Sequence, residues 1–145
     1  EKVIQEARAT SSEQDELQAL IMAAAQKTYS GTVVDHALNP RNLGTMQDAD
    51  GYARVTGPCG DTMEIWLRVK NEVITDMSFM TDGCGPTVAC GSMLTTMVRG
   101  MSLAEADALT PDDLLAALDG LPAEHVHCAV LAVDTLHQAL ANQHP

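Results

Sequence analysis

The chain has 145 residues, enough for one domain whose core needs no disulfide support. Eight basic against 20 acidic side chains give a formal charge of -12, which repels nucleic acid and anionic lipid and favours basic partner surfaces or cations. Apolar residues make up 46% of the chain and aromatics only 3%, so the core must be assembled from aliphatic side chains, alanine and methionine. No run of about eighteen apolar residues occurs, and Glu1-Lys2-Val3-Ile4 lacks the layout of a secretory signal. The expectation is a soluble, cytoplasmic protein with reduced thiols and no membrane partner.

Ser11 and Ser12, followed by Leu17, Leu20, Ile21 and Ala24 at helical spacing, predict a helix over 13–28. Residues 1–28 are thus read as a helical extension and 29–145 as the domain proper. Val33, Val34 and Leu38 predict a short second helix that stops before Asn39-Pro40, because proline disfavours a helical residue ahead of it. A loop to residue 51 and a strand over 52–57 follow. Met63, Ile65, Leu67 and Val69 alternate with Glu64, Arg68 and Lys70, with Trp66 the exception, and Asn71-Glu72 suits a two-residue turn. Val73, Thr75, Met77 and Phe79 would then line one face of the returning strand.

Past Gly85 the pattern becomes helical, with Pro86 at the start and Gly100 just beyond the end. Ser102 and Glu105 form a capping-box pair, Thr110-Pro111 opens a helix closed by Gly120, and a long last helix is expected over 124–142. Its apolar stripe would be Val126, Ala129, Val130, Val133, Leu136 and Leu140, leaving Cys128 off the core face. The fold class is α+β: a three-stranded antiparallel sheet, made of the hairpin 63–81 and the strand 52–57, packed against several helices.

Three fragments carry chemistry: Cys59-Gly60-Asp61, Gly83-Cys84-Gly85 and His127-Cys128. Thiolates are the soft ligands that zinc and iron-sulfur clusters prefer, so three cysteines with one carboxylate and one imidazole form a metal-ligand set. Cys84 and Cys128 fall near predicted helix starts, where the macrodipole favours thiolate over thiol. Other residues have plainer readings. Cys90 reads as a buried packing thiol, Met93 and Met97 as core, His36 as hydrogen-bonded to backbone, and His137 and His144 as solvated. The acidic stretch from Glu105 to Asp119 reads as a solvated helical face. A zinc deaminase would need His-x-Glu with Pro-Cys-x-x-Cys, of which only Pro58-Cys59 is present, and a structural zinc domain would need paired Cys-x-x-Cys knuckles, which are absent.

Tyr29-Ser30, Val34-Asp35-His36, Asn39-Pro40-Arg41-Asn42-x-Gly44, Gly57-x-Cys59-Gly60-Asp61, Gly83-Cys84-Gly85 and His127-Cys128 together resemble the IscU/NifU family of iron-sulfur cluster scaffolds over about residues 29–142. The resemblance implies a non-enzymatic scaffold that receives sulfur from a cysteine desulfurase, collects iron, builds a two-iron two-sulfur cluster and passes it to acceptor or carrier proteins. By motif position Cys59, Cys84 and Cys128 are the thiolate ligands, Asp61 keeps the cluster labile, His127 is the alternative fourth ligand, and Cys128 accepts persulfide. Zinc can occupy the same donors, and a zinc-dependent sulfur carrier of the SufU kind, with sulfurtransferase activity, is the rival reading; it lacks the histidine that His127 supplies. Leu121-Pro122-Ala123-Glu124-His125 departs from the Leu-Pro-Pro-Val-Lys of scaffolds served by an Hsp70-type chaperone, so the resemblance does not extend to chaperone-assisted release. A monomer or weak homo-oligomer is expected.

Overall fold

A computed structural model describes residues 28–143. The helix expected over 13–28 lies outside the described residues apart from Thr28, as does His144. In chain order the elements are α1 (Gly31–Leu38), β1 (Gly51–Thr56), β2 (Thr62–Lys70), β3 (Val73–Thr81), α2 (Gly85–Val98), α3 (Leu103–Asp107), α4 (Pro111–Ala117), a 3-10 turn (Ala123–His125) and α5 (Val126–Ala141). The strands form one antiparallel sheet in the order β1-β2-β3. The α+β architecture and its hairpin are as expected. Among the described residues no helix is long and apolar enough to cross a membrane.

The local signals act as their chemistry requires. Ser30 caps α1 by accepting from the Val33 N–H, Ser102 and Glu105 cap each other at α3, and Thr110 and Asp113 do the same at α4. Asn71 and Glu72 both take positive φ, 53° and 64°, which is the backbone of a type I′ hairpin turn whose twist matches the strands.

One face of the sheet, with Ala53, Met63, Ile65, Leu67, Ile74, Met77 and Phe79, is buried beneath the helices: α5 lies over β1 and β2, α2 over β3. Each large aliphatic side chain so buried contributes about 1.5–3 kcal/mol. Helix α1 packs on α2, and α2 on α5. The other face carries Trp66, its ring tilted at 44° against that of Tyr52 with centroids 5.3 Å apart.

Two expected faces are corrected. On β3 it is Ile74, not Val73 or Thr75, that enters the core. The pairing shifts between Arg68 and Val69, so Thr75 is an extra residue facing no partner and reverses the alternation ahead of it. On α5 the buried set is Cys128, Ala129, Leu131, Ala132, Val133, Thr135, Leu136 and Ala139, while Val130 is 40% exposed. Helix α5 is covered by strands on one side and by α2 and α4 on another. Such an arc admits the small Ala, Thr and Cys residues that a search for large apolar residues passes over. Cys128 is therefore in the core, 1% exposed, contrary to expectation.

Candidate metal centre

Two turns and one helix start build the site. Between β1 and β2 the chain reverses over Gly57–Asp61, closed by Gly57 N–H to Asp61 O (2.8 Å) and Gly60 N–H to Gly57 O (3.0 Å). Gly60 adopts φ +94°, a conformation that side chains rarely take, so Cys59 and Asp61 need the glycine between them. After β3, Asp82 accepts from the Thr62 N–H at 2.7 Å and the Thr81 hydroxyl donates to Thr62 O at 2.7 Å. These bonds hold the turn leading to Cys84 against the turn bearing Cys59 and Asp61. Cys84 is the N-cap residue of α2, and its thiol makes no capping hydrogen bond.

The first turn of α5 brings His127 and Cys128 to the same place. Ligand atoms of Cys59, Asp61 and His127 all lie within 4.8 Å of one another, with Cys59 exposed and the other two half-buried. Edges of a tetrahedral site with bonds of about 2.0–2.3 Å measure about 3.3–3.8 Å, so modest side-chain rotation closes these three donors on an ion. Cys128 Sγ lies 3.7 Å from His127 Nε2. Cys84 is exposed, and its charge, with those of Asp61 and Cys59, acts on Cys128. Cys59 and His127 also line a cleft of about 200 Å³ with Val55, Pro58, Leu131 and Asp134.

The electrostatics are those of crowded anions. Burial pushes the Cys128 thiol above its ordinary range; its hydrogen-bonding contact with the Thr87 hydroxyl at 3.3 Å opposes this, and the facing Cys84, Asp61 and Cys59 add to it. The expectation that a helix start would favour the Cys128 thiolate is thus corrected: burial, with the neighbouring acidic groups, raises the thiol instead. Tyr29 is also raised, by burial and then by Cys84, Glu124 and Cys128. A bound cation relieves the repulsion among these groups, and a soft one suits their sulfurs.

Cys90, in contrast, is wholly buried in the core and burial raises its thiol far above the ordinary range, as befits a packing residue. Met93 and Met97 pack against the core. His36 is buried, but its partner is a side chain, not the backbone: Nδ1 sits 2.7 Å from Ser92 Oγ. Ser92 Oγ also accepts the Arg41 N–H at 2.9 Å, so one hydroxyl ties His36 to the chain after Pro40. His137, expected in solvent, is half-buried with Nε2 lacking a partner among the described residues, because α5 is covered on more sides than its apolar stripe indicates. Sequence reasoning missed Thr87, whose hydroxyl lies 3.1 Å from Asp61 Oδ2 and 3.3 Å from Cys128 Sγ. Only its position one turn after Cys84 could have flagged it.

A hairpin sheet under two long helices, with cysteine, carboxylate and imidazole converging where the strand turns meet a helix start, defines a small α+β domain with a candidate metal centre. Residues 28–144 match the family model described as NifU-like N terminal domain, and the chain belongs to that family. It is 44% identical over 115 residues to the iron-sulfur cluster assembly scaffold protein IscU 1 of Archaeoglobus fulgidus, covering 79% of this chain and 75% of that protein. It is 40% identical over 119 residues to the iron-sulfur cluster assembly scaffold protein IscU of Escherichia coli (strain K12), covering 79% and 92%. The crystal structure of the N-terminal part of a nitrogen-fixing NifU-like protein from Brucella abortus superimposes with a TM-score of 0.65 over 79% of this chain and 93% of that one. At 20% identity that likeness concerns the fold alone.

Proposed function

We propose that this protein is a scaffold on which an iron-sulfur cluster is assembled and then released to acceptor proteins. The observation that carries the reading is the convergence of Cys59, Asp61 and His127 beside Cys128, in a chain 40–44% identical to proteins named as such scaffolds. In this reading the cargo is a two-iron two-sulfur cluster held by Cys59, Cys84 and Cys128. A stable ferredoxin centre of this size uses four thiolates, so a carboxylate or imidazole in the fourth place leaves one iron with an exchangeable bond. Weak holding suits a protein that gives its cluster away.

Sulfur arrives from a cysteine desulfurase, and Cys128 is its acceptor. Because Cys128 is buried, the first turn of α5 has to open to admit the sulfur donor. All four cysteines are free thiols, which suits the reducing cytoplasm. The compact sulfur, oxygen and nitrogen set around Asp61 also fits zinc, so a zinc-dependent sulfur carrier is the second reading. Anaerobic incubation with iron, cysteine and a cysteine desulfurase separates the two. A scaffold develops visible cluster absorption with iron and sulfide in equal amounts, whereas a zinc carrier keeps stoichiometric zinc and stays colourless.

A further inference from the structure

Thr87 lies in the first turn of α2, three residues after Cys84, and is wholly buried. A threonine hydroxyl there has few partners to choose from. Among the described residues its Oγ1 is within hydrogen-bonding distance of two groups, both in the candidate site: Asp61 Oδ2 at 3.1 Å and Cys128 Sγ at 3.3 Å. The hydroxyl has one proton, so it serves one acceptor at a time. The carboxylate is the stronger acceptor and the sulfur the weaker, which assigns the proton to Asp61 for most of the time.

The backbone is arranged to keep this side chain in place. A Cβ on Gly83 would sit 2.7 Å from Thr87 Cβ and Cγ2 and 2.8 Å from Oγ1, closer than real carbon atoms approach. Gly83 has no need of a left-handed backbone conformation, since its φ is not in that region. Its lack of a side chain is therefore explained by the room that Thr87 takes. Glycine before Cys84 and threonine after it form one packing unit that points a hydroxyl at the acid opposite.

We propose that Thr87 is a positioning residue of the metal site: by donating to Asp61 it fixes the carboxylate's rotamer so that its other oxygen faces the ion shared with Cys59 and His127. The role rests on the scaffold reading of the site, and it concerns any ion bound there, iron or zinc. A group that orients a metal ligand, when removed, commonly costs about 10–100-fold in affinity, and a buried alcohol-to-carboxylate bond belongs to that class.

Zinc binding, measured by competition with a chromophoric chelator under anaerobic conditions, tests it with no cluster chemistry involved. Thr87→Val keeps the shape and removes the hydroxyl, and it should weaken zinc binding by roughly tenfold. Thr87→Ser, which keeps the hydroxyl, should bind within about twofold of wild type, and in an Asp61→Ala background the Thr87→Val effect should nearly vanish. Should Thr87→Val fail to fold, Gly83→Ala displaces the side chain without deleting the hydroxyl and should show the same loss. Wild-type affinity in Thr87→Val, or an equal loss with and without Asp61, overturns the role while leaving the scaffold reading intact. Wild-type protein that binds no zinc and no cluster overturns both.

Discussion

His127 Nε2 and Cys128 Sγ face each other at 3.7 Å although they are neighbours in sequence. Successive residues of a helix point about 100° apart, so two adjacent side chains converge only when both turn toward the same spot. Here that spot is the edge of the Cys59 and Asp61 turn. On a single ion Asp61 and His127 can bind together, whereas on a cluster already held by three thiolates the scaffold reading leaves one position for the two of them. Asp61→Ala should leave the position to the imidazole and lengthen the half-life of a reconstituted cluster measurably. Decay of visible absorption in the presence of a chelator measures it, and a faster loss than wild type would count against the competition.

Metal uptake should depend on pH through Cys128. Burial raises its thiol above the usual range, so near neutrality it enters the site protonated and must release its proton to bind. Apparent zinc affinity should rise with pH by up to about tenfold per unit for each proton displaced. The stability of the metal-free protein should show the opposite trend. A thiol whose folded value is raised contributes stability that is full below the unfolded value of about 8.5 and is lost as pH climbs through the folded value. Urea unfolding at pH 7 and pH 10 should show the loss, and it should be smaller in Cys128→Ala.

His36 has the reverse sign at the acid end. Burial, with Arg41 adding to it, lowers its value, so the unfolded chain holds the proton more tightly than the folded one. The stability tied to the His36 and Ser92 bond should be full above about 6.5 and decline as pH falls below it. Thermal unfolding from pH 8 to pH 5 should lose this dependence in His36→Asn.

Much of this was legible from residue chemistry that acts locally. The caps at Ser102 and Thr110, the turn at Asn71-Glu72 and the metal-ligand types at Cys59, Asp61, Cys84, His127 and Cys128 depend on neighbours a few residues away. What escaped depends on partners far along the chain. The bulge at Thr75 is set by the shift in pairing on the opposite strand between Arg68 and Val69, Cys128 meets Thr87 of α2 across 41 residues, and the Ser92 partner of His36 lies 56 residues distant. Thr87 belongs with these, since nothing near it in sequence names Asp61 as its acceptor.

Gly91 tests the packing of α2 on the sheet. Its backbone is ordinary helix, but an added Cβ would run into the Phe79 ring, so the glycine is there for close approach. Gly91→Ala should destabilise the fold by about 2–3 kcal/mol through overpacking. The unfolding midpoint should drop by roughly 5–10 °C. An unchanged midpoint would mean that α2 sits farther from β3 than described.

The account stands on Cys59, Cys84 and Cys128 sharing one site while Cys90 does not. Cobalt(II) titration reads this directly, because sulfur-to-cobalt charge transfer reports thiolate ligands and the d–d bands report tetrahedral geometry. Wild type should bind one equivalent with intense bands, Cys59→Ala, Cys84→Ala and Cys128→Ala should each lose charge-transfer intensity, and Cys90→Ala should match wild type. Full intensity in Cys84→Ala or Cys128→Ala, or a loss confined to Cys90→Ala, would contradict it.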